Sequence, residues 1–369
     1  MGEFAEDASK AVENLLLNCA GGHPGQSFLI VHEPADEKFY DPALPELVAE
    51  KARDLGFVVD LQEIPFEKEV RDPSSKLTDA MTSADHTLFL ARLGDQIRFR
   101  EIKQTDGKMI SYALDQDMLV SGFGTADYRG FKALRDLINN AIVNAEEIHV
   151  TCPAGTDFKG YIKDPEEELL DVTLKRFPMS IFAPVPAQHF KGKIAQVGFL
   201  TGTGSQYYTP YVCAIEKILF IEFDGNSIIG FSGSETDISN AEGHYNFVAN
   251  KFRIDPYFIH SWHAGMHPAC SFSVPASESF ERWSGAAFGN PRLLHFHTCG
   301  QYPPGEISIN IVDPTIIVGG QAVWEQGSLY PERLPGGSKI LDSYPSLKRV
   351  FQEPSRDIGL GKAGRLSFS

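Results

Sequence analysis

Apolar runs of strand length recur through the first half of the chain, with helical spacing of apolar residues between them. The apolar runs are Ser27–His32, Phe57–Leu61, Asp85–Leu93 and Glu147–Thr151. Helical spacing is found at Ala11–Leu17, Leu44–Leu55 and Gly130–Ala145. A strand that is apolar at successive positions is typical of a parallel sheet covered on both faces. We therefore predict an α/β domain with an open, mostly parallel sheet over residues 1–175.

The pattern changes near residue 176, where Pro and Gly become frequent and β-type runs follow one another directly. The runs are Lys193–Leu200, Tyr211–Phe223, Ser227–Ser232, Leu293–Thr298, Ile307–Val312 and Ile316–Gly319. The sequence Asp224-Gly225 between two of them is typical of a hairpin turn. We predict an α+β domain dominated by antiparallel strands over residues 176–334. The Gly-, Ser- and Pro-rich residues 335–369 are interpreted as a tail or arm.

Net charge and residue usage exclude several classes of partner. The chain has 33 basic and 49 acidic side chains and a formal charge of −16, which argues against nucleic acid or an anionic membrane as a partner. Met1–Lys10 has neither a basic nor an apolar segment of the kind that signal peptides carry, and no apolar stretch approaches the length of a membrane span. The five cysteines lack C-x-x-C spacing, which fits a reducing cytosol. We expect a cytoplasmic protein.

Common motifs for nucleotide and hydrolase chemistry are missing from the sequence. No G-x-G-x-x-G follows the first apolar run, and Gly122 and Gly124 precede a helix without a dinucleotide-binding context. There is also no G-x-S-x-G elbow and no H-E-x-x-H pair. We therefore expect no nucleotide cofactor, no serine hydrolase and no zincin.

Histidine is unevenly distributed along the chain. Five of the eleven histidines lie within residues 260–297, where even spreading would place about one. They are His260, His263, His267, His295 and His297. Residues two apart in a strand share a face, so His295 and His297 can point at one site. His260 and His263 fall on opposite faces of a regular strand, so at most one of them joins that site without a bulge.

Two interpretations of these histidines remain open. Neutral imidazole is the commonest transition-metal ligand, and it transfers protons near neutral pH, so the cluster indicates a metal or acid–base pocket. Nearby carboxylates that could complete such a site are Asp255, Glu278, Glu306 and Asp313. Alternatively, the rings lie in a half-buried sheet, stack on aromatic neighbours and form hydrogen bonds to the backbone.

Several segments, taken in order, resemble one family. They are His149-Val150-Thr151 followed by Pro153–Asp157, Phe177-Pro178 with Ala183-Pro184, Ile218–Ile229, Gly265–Pro268 and His295–Gly300. This order resembles the aminopeptidase T-like superfamily, which contains thermophilic metallopeptidases and 2,5-dihydroxypyridine 5,6-dioxygenase. The resemblance covers residues 25–330. It implies an N-terminal α/β domain, a β-rich C-terminal domain that carries the metal, and a homodimer.

The metal ligands that this resemblance implies are not matched residue by residue. Counting back from Pro268 places Ser261 at the first ligand position, beside His260, and a later His-x-Asp pair falls at Ser308 and Asn310. Serine and asparagine do not replace imidazole and carboxylate as ligands of a divalent ion. The resemblance therefore implies a metal site that has been lost or has moved, and the histidine cluster is a candidate replacement.

Two functions follow as hypotheses. The first is an enzyme acting on a small aromatic, heterocyclic or peptide-like substrate, either a metal-dependent hydrolase or a non-haem iron oxygenase, with iron or zinc as cofactor. The second is a non-catalytic relative without a metal, a pseudoenzyme that binds a peptide, a small molecule or a partner enzyme.

Each candidate site residue has a predicted role. The predicted metal ligands are His260, His295 and His297. The predicted catalytic residues are His263, His267 and Asn310. The predicted ligand-binding residues are Ser261, Trp262 and Ser308.

Overall fold

A computed structural model describes residues 2–69, 73–98, 107–163, 172–300 and 303–361. The chain forms two compact units. The first unit takes its described residues from positions 2–132, 172–180 and 344–352, and the second from 133–163, 181–343 and 353–361.

The strands and helices of the described residues are numbered along the chain. The strands are β1 (Ser27–His32), β2 (Val58–Glu63), β3 (His86–Leu90), β4 (Lys108–Ser111), β5 (Ile148–Thr151), β6 (Asp157–Gly160), β7 (Lys175–Phe177), β8 (Val185–Pro186), β9 (Phe190–Thr201), β10 (Val212–Asp224), β11 (Ser227–Ser232), β12 (Ile259–Ala264), β13 (Leu293–Thr298), β14 (Ile307–Val312), β15 (Thr315–Val318), β16 (Gln321–Glu325) and β17 (Ser328–Leu329). The helices are α1 (Gly2–Glu13), α2 (Leu44–Asp54), α3 (Ser75–Ser83), α4 (Arg92–Ile97), α5 (Gln116–Val120), α6 (Gly122–Thr125), α7 (Tyr128–Val143), α8 (Glu235–Phe252), α9 (Phe280–Ala286), α10 (Gly337–Ser343) and α11 (Pro345–Gln352).

The first unit contains a parallel sheet with the order β2-β1-β3-β4-β7. β3 is buried along its whole length and β1 at its four central residues, as their apolar runs predict. Leu29 and Val31 of β1 and Phe89 of β3 pack against Leu77 and Met81 of α3. The predicted N-terminal α/β fold with a parallel sheet is confirmed.

One strand of that prediction is wrong. Glu147–Thr151 was expected in the parallel sheet, but β5 pairs antiparallel with β6 and β15 in the second unit. The other two strands of the parallel sheet are β4 and β7. Their basic residues interrupt the run of apolar positions by which a buried strand is predicted. The burial of β5 alternates residue by residue, which is typical of a strand buried on one face only.

The second unit contains a large antiparallel sheet with the order β17-β16-β15-β5-β6-β9-β14-β13-β12-β8, and β10 and β11 continue from β9. Three of its strands begin and end at the residues that the β-type apolar runs predict. They are Ser227–Ser232, Leu293–Thr298 and Ile307–Val312. The predicted β-dominated C-terminal half is therefore confirmed.

An aromatic cluster covers one face of the central strands of this sheet. Trp262 of β12 and Phe296 of β13 are paired in the strand register, and both are fully buried. The ring of Phe158 lies edge-on to both, with centroids 5.8 and 5.2 Å away, and Phe223 packs beside them. Because successive side chains in a strand point to opposite faces, the residues that alternate with Trp262 and Phe296 face away from this cluster.

Residues 353–361, within the predicted tail or arm, are held by contacts inside the second unit. Ile358 forms an isolated parallel bridge with Phe272, and its carbonyl accepts a 2.7 Å hydrogen bond from Trp283 Nε1. Arg292 donates to the carbonyl of Arg356 and forms a bidentate ion pair with Asp313. No helix in the described part of the chain combines the length and apolar composition that a membrane crossing needs.

A buried carboxylate, Asp237 of α8, stabilises an irregularity in β10. The pairing of β10 with β9 shifts between Ile215 and Leu219, and Asp237 accepts hydrogen bonds from the amides of Glu216 and Lys217 within that gap. It also accepts a 2.6 Å hydrogen bond from Ser234 Oγ. Burial alone would raise the pKa of Asp237, but these hydrogen bonds outweigh it and hold the pKa below its ordinary value.

We expect Asp237→Asn to lower the free energy of unfolding of the second unit by about 1–3 kcal/mol at pH 7, because it weakens the hydrogen bonds that the buried carboxylate accepts from the amides of Glu216 and Lys217 and from Ser234. The folded pKa of Asp237 is lowered, so its stabilising effect is present above the unfolded pKa of about 3.9 and disappears as the pH falls through the folded value. Urea unfolding at pH 7 and pH 3, followed by tryptophan fluorescence, measures both effects, since all three tryptophans lie in this unit.

The exposed Glu242 lies on the same helix, and Glu242→Gln is the matched control that should change little. If Asp237→Asn lowers the free energy of unfolding equally at pH 3 and at pH 7, the result would contradict our assignment of the effect to the charge of the carboxylate.

Candidate functional site

Six polar residues share the face of β12, β13 and β14 that points away from the aromatic cluster. The strand register arranges them in two rows across the three strands. One row is Ser261, His297 and Ser308, and the other is His263, His295 and Asn310. All six side chains belong to buried residues, and His297 is the most exposed of them at 7%. The period-two spacing of His295 and His297 produces the shared face that the sequence indicated.

The two histidines of β12 are separated by an irregularity in its pairing with β13. The register shifts between Ile259 and Ser261, which leaves His260 outside the regular pairs, whereas His263 lies directly opposite His295. His260 Nδ1 is 2.9 Å from Ser261 Oγ. Burial and the neighbouring His297 lower the pKa of His260, and Glu306 partly offsets them. His263, rather than His260, therefore joins the pair on β13.

The Nε2 atoms of His263, His295 and His297 converge. His263 Nε2 lies 2.8 Å from His295 Nε2 and 3.1 Å from His297 Nε2. Ligand atoms of the three rings all lie within 4.8 Å of one another. We call His263, His295 and His297 the histidine triad.

Hydrogen bonds on the far side of two rings determine where their protons lie. His263 Nδ1 is 3.1 Å from the carbonyl oxygen of Phe182, which can only accept. His297 Nδ1 is 2.9 Å from a carboxylate oxygen of Glu306, which accepts when ionised. When a ring is neutral, its acceptor favours the proton on Nδ1, and the lone pair on Nε2 is then directed into the triad.

This proton arrangement makes the centre of the triad attractive to a cation. Two lone pairs that face each other at 3.1 Å repel unless a positive charge lies between them. If His295 Nε2 carries a proton, it can donate a hydrogen bond to His263 Nε2. No nitrogen of the three rings then donates to His297 Nε2. A single divalent ion satisfies all three nitrogens. An imidazole that binds through one nitrogen and donates from the other to a carbonyl or carboxylate is the usual arrangement of a histidine metal ligand.

The triad therefore fits a metal ion by the chemistry of its donors. Two ligands of a tetrahedral zinc, each at about 2.0–2.1 Å, lie roughly 3.3 Å apart, close to the observed nitrogen separations. Within the described residues, no carboxylate belongs to the cluster of potential metal ligands. Glu306, one of the four carboxylates considered from the sequence, contacts His297 from outside, and Asp313 is paired with Arg292.

Aromatic packing fixes the ring of His295. Phe288 stacks on it with a centroid separation of 4.0 Å and an interplanar angle of 16°. Phe288 in turn lies 5.3 Å from Trp283, edge to face. Stacking therefore orients the ring of His295, and hydrogen bonds at Nδ1 orient the rings of His263 and His297.

The remaining predicted site residues lie outside the triad. Ser308 Oγ donates to Asn310 Oδ1 at 2.9 Å, and the backbone amide of Asn310 donates to Gln196 Oε1 at 2.7 Å. His267 follows β12 and is fully buried, and its backbone amide donates to Gly289. Trp262 points to the opposite face, into the aromatic cluster.

Sequence reasoning missed two contributors to the site. Phe182 lies 81 residues before the histidine that it contacts, and Phe288 precedes β13 in a short helical turn. Neither has a sequence signal, because a backbone carbonyl and a stacked phenyl ring have no characteristic pattern. Glu306 did have a signal, since it is a carboxylate one residue before a predicted strand.

Comparison with known proteins gives matches at the level of structure. Neither a family model nor a curated protein sequence matches the chain. The structure of 2,5-dihydroxypyridine dioxygenase from Pseudomonas putida KT2440 matches 89% of this chain and 98% of its own, with a TM-score of 0.57 and 15% identity. The two chains share a fold. Wild-type AmpT, an aminopeptidase T from Thermus thermophilus, aligns over 85% of this chain and 95% of its own, with a TM-score of 0.46 and 11% identity.

The dioxygenase match confirms the fold that the resemblance implied. At 15% identity it carries no information about which residues act or on what substrate. The chemistry of the triad therefore has to be argued from this chain's own residues.

The proton positions in the triad can be tested in the metal-free protein. We expect imidazole ¹⁵N shifts in which His263 and His297 carry their proton on Nδ1, because Phe182 and Glu306 accept from that atom. The half-exposed His149 is an internal control with the opposite tautomer, since its Nε2 lies 2.8 Å from Asp157. Glu306→Ala should remove the preference of His297 only. Nε2-protonated His263 and His297 would contradict the described hydrogen bonding.

Proposed function

We propose that this protein is a metal-dependent enzyme whose histidine triad holds one divalent ion. The observation that carries the proposal is the convergence of the three Nε2 atoms, with His263 Nε2 2.8 Å from His295 Nε2 and 3.1 Å from His297 Nε2. The acceptors behind the rings of His263 and His297 are the carbonyl of Phe182 and the carboxylate of Glu306, and they orient these rings through Nδ1. The site is therefore preorganised for a cation by hydrogen bonds that belong to the protein.

The donor set favours zinc or iron over calcium and magnesium. Three imidazoles suit borderline ions, whereas calcium and magnesium prefer oxygen ligands. Catalytic zinc can be bound by three histidines, with one coordination position left open. Non-haem iron is commonly bound by two histidines and a carboxylate. The absence of a carboxylate from this cluster, among the described residues, makes zinc the first candidate and iron the second. When bound, such an ion polarises a carbonyl group or lowers the pKa of a coordinated water.

The protein's own groups would perform the positioning. Glu306 keeps the proton of His297 on Nδ1, the Phe182 carbonyl does the same for His263, and Phe288 orients His295. Ser261, Ser308 and Asn310 lie on the same face, and we retain them as candidate substrate contacts or, for Asn310, as a candidate catalytic residue. His267 is retained as a candidate catalytic residue and Trp262 as a candidate ligand contact on the sequence argument alone.

The substrate class follows from analogy of fold rather than from geometry. We propose a small aromatic, heterocyclic or peptide-like molecule, processed by hydrolysis or by an iron-dependent oxygenation. A homodimer and a cytoplasmic location belong to the same proposal.

A specific observation supports the alternative of a non-catalytic relative. Ser308 and Asn310, at positions where the family resemblance implies a histidine and a carboxylate, form a hydrogen bond with each other, and Asn310 is also bound to Gln196. This arrangement is suited to holding β14 in place. In this alternative, the buried polar face binds a ligand or a partner enzyme without a metal.

Metal analysis of the purified protein tests the proposal. We expect about one zinc or iron per chain and a loss of that metal in His263→Ala, His295→Ala and His297→Ala, because each substitution removes a ligand. His149→Ala, at a half-exposed histidine in the same unit, is the control that should retain the metal. Reconstitution of the apoprotein with zinc or iron(II), followed by assays with an amino-acid p-nitroanilide and with 2,5-dihydroxypyridine under oxygen, then samples the two reaction classes.

Folded protein that takes up no zinc or iron, and variants that bind as much metal as the parent, would contradict the metal site. A bound metal without activity in either assay would support the metal site and contradict the two reaction classes that we propose for it.

The contact between Glu306 and His297 predicts a graded effect on affinity. We expect Glu306→Gln to weaken zinc binding by about 10–100-fold, because the neutral amide supports the imidazole less well than a carboxylate does. Competition with a chromophoric chelator measures the dissociation constant. Glu278→Gln, at an exposed carboxylate considered from the same sequence pattern, is the matched control. Equal affinities of the two variants would show that Glu306 does not support the site.

A further inference from the structure

Residues 268–290, which lie between β12 and β13, cover one side of the histidine triad. They contain α9 and, directly after it, the short helical turn Ala287–Gly289. Phe288 in that turn stacks on His295 at a centroid separation of 4.0 Å, and Trp283 of α9 packs edge-on against Phe288. We call residues 268–290 the covering loop. The ring of His295 is therefore covered by a segment that lies outside the sheet.

Residues 355–359, which we call the C-terminal strap, hold the covering loop at points spread along its length. Three hydrogen bonds join the two backbones, and two side chains of the loop donate to carbonyls of the strap. They run from the Ser355 amide to Pro268 O at 2.8 Å, from the Phe272 amide to Asp357 O at 3.0 Å, from the Ala276 amide to Gly359 O at 2.9 Å, from Trp283 Nε1 to Ile358 O at 2.7 Å, and from Asn290 Nδ2 to Ser355 O at 3.1 Å. The strap therefore contacts the beginning, the middle and the end of the loop.

Ile358 and Gly359 make the closest contacts of the strap with the loop. Ile358 is fully buried and forms a parallel bridge with Phe272. Gly359 has a φ of +68°, and a Cβ atom at this position would lie 2.6 Å from the carbonyl oxygen of Val274 and 2.8 Å from the ring of Phe272. A side chain at residue 359 would therefore force the strap and the loop apart.

The strap is itself anchored to the antiparallel sheet. Arg292, which directly precedes β13, donates a 2.6 Å hydrogen bond to the carbonyl of Arg356. The guanidinium of Arg356 donates a 3.0 Å hydrogen bond to Ser328 Oγ of β17. The strap thus connects the covering loop to strands at two places in the sheet.

The triad can be reached only if a segment that covers it moves. All three rings are buried, and the most exposed, His297, is 7% exposed. Phe182, which contacts His263, is held in the sheet, because Ile181 and Val185 on either side of it pair with residues of β12 and the position after it. The covering loop depends instead on contacts with a segment that is distant in sequence. Segments held in this way open locally at a lower free energy than strands within a sheet.

We propose that the C-terminal strap is a latch on the covering loop, and that opening of this loop is the route by which the metal ion enters and leaves the triad. This inference rests on the metal site proposed above. When the loop opens, Phe288 leaves the ring of His295, while His263 and His297 keep their own hydrogen bonds at Nδ1. A weakened latch therefore increases the population of the open state without removing a metal ligand.

A cysteine inside the covering loop reports its opening in the metal-free protein. Cys270 is fully buried, and its thiol donates a 3.0 Å hydrogen bond to the carbonyl of Ala286. Burial also raises the pKa of this thiol to about 12, so iodoacetamide should react with it only when the loop opens. We expect Ile358→Ala and Gly359→Ala to accelerate alkylation of Cys270 by about tenfold or more, as measured by peptide mass spectrometry.

Two controls separate opening of the loop from general loss of structure. Cys299, which follows β13 and is also fully buried, is an internal control whose alkylation should stay at the parent rate. Gly320→Ala is the matched variant, because Gly320 also has a positive φ but an added Cβ would meet nothing within 4 Å. If a strap variant unfolds and exposes Cys299, Trp283→Phe provides the same test, since it removes one hydrogen bond to the strap and keeps an aromatic ring beside Phe288.

Zinc exchange in the same variants tests the route itself. Mixing the apoprotein with zinc measures the rate of uptake, and mixing the loaded protein with excess chromophoric chelator measures the rate of loss. We expect both rates to rise by the same factor of about ten or more, with a dissociation constant that changes by less than about threefold, because uptake and loss pass through the same open state. His295→Ala, which removes a ligand, should instead raise the rate of loss and the dissociation constant together.

The results also distinguish failure of this route from failure of the metal site. If the parent binds zinc at the triad, either unchanged alkylation of Cys270 or faster alkylation with zinc exchange at the parent rate would overturn the route alone. A parent protein that binds no zinc or iron would overturn the proposed metal site and the route with it.

Discussion

The account of this protein depends on two imidazole nitrogens that face each other inside the histidine triad. His263 and His297 lie 3.1 Å apart at Nε2, and the proton of each ring is held on the far side by Phe182 or Glu306. Such a contact between neutral rings is unfavourable by itself and becomes favourable around a cation. The aromatic cluster behind β12 and β13 prevents the strands from rotating out of this arrangement, because Trp262 and Phe296 are fully buried on the opposite face.

The histidine triad lies beside the positions where the family resemblance implies metal ligands. Ser261, Ser308 and Asn310 occupy the positions where the family resemblance implies ligands, and each lies beside a triad histidine in the strand register. Paired side chains on one face of an antiparallel sheet are about 4.5–5.5 Å apart at Cβ. The triad therefore lies next to these three positions on the same face of the sheet. This chain combines the fold of a dioxygenase with a donor set built largely on β13.

The sequence predicted the features that follow from local periodicity. The strands at Leu293–Thr298 and Ile307–Val312, and the shared face of His295 and His297, result from a period of two, and the apolar run of β1 marked a buried parallel strand. The choice between His260 and His263 could not be predicted, because it depends on an irregularity of pairing after Ile259. The contact of Phe182 with His263 and the membership of β5 in the antiparallel sheet depend on tertiary pairing between distant segments, which periodicity does not encode.

The most direct test of the central claim is a crystal structure of the protein with zinc, located by anomalous scattering at the zinc edge. The account predicts one strong peak at about 2.0–2.1 Å from the Nε2 atoms of His263, His295 and His297, with the contacts of Phe182 and Glu306 retained. Zinc bound elsewhere, with no peak between the three Nε2 atoms, would contradict it.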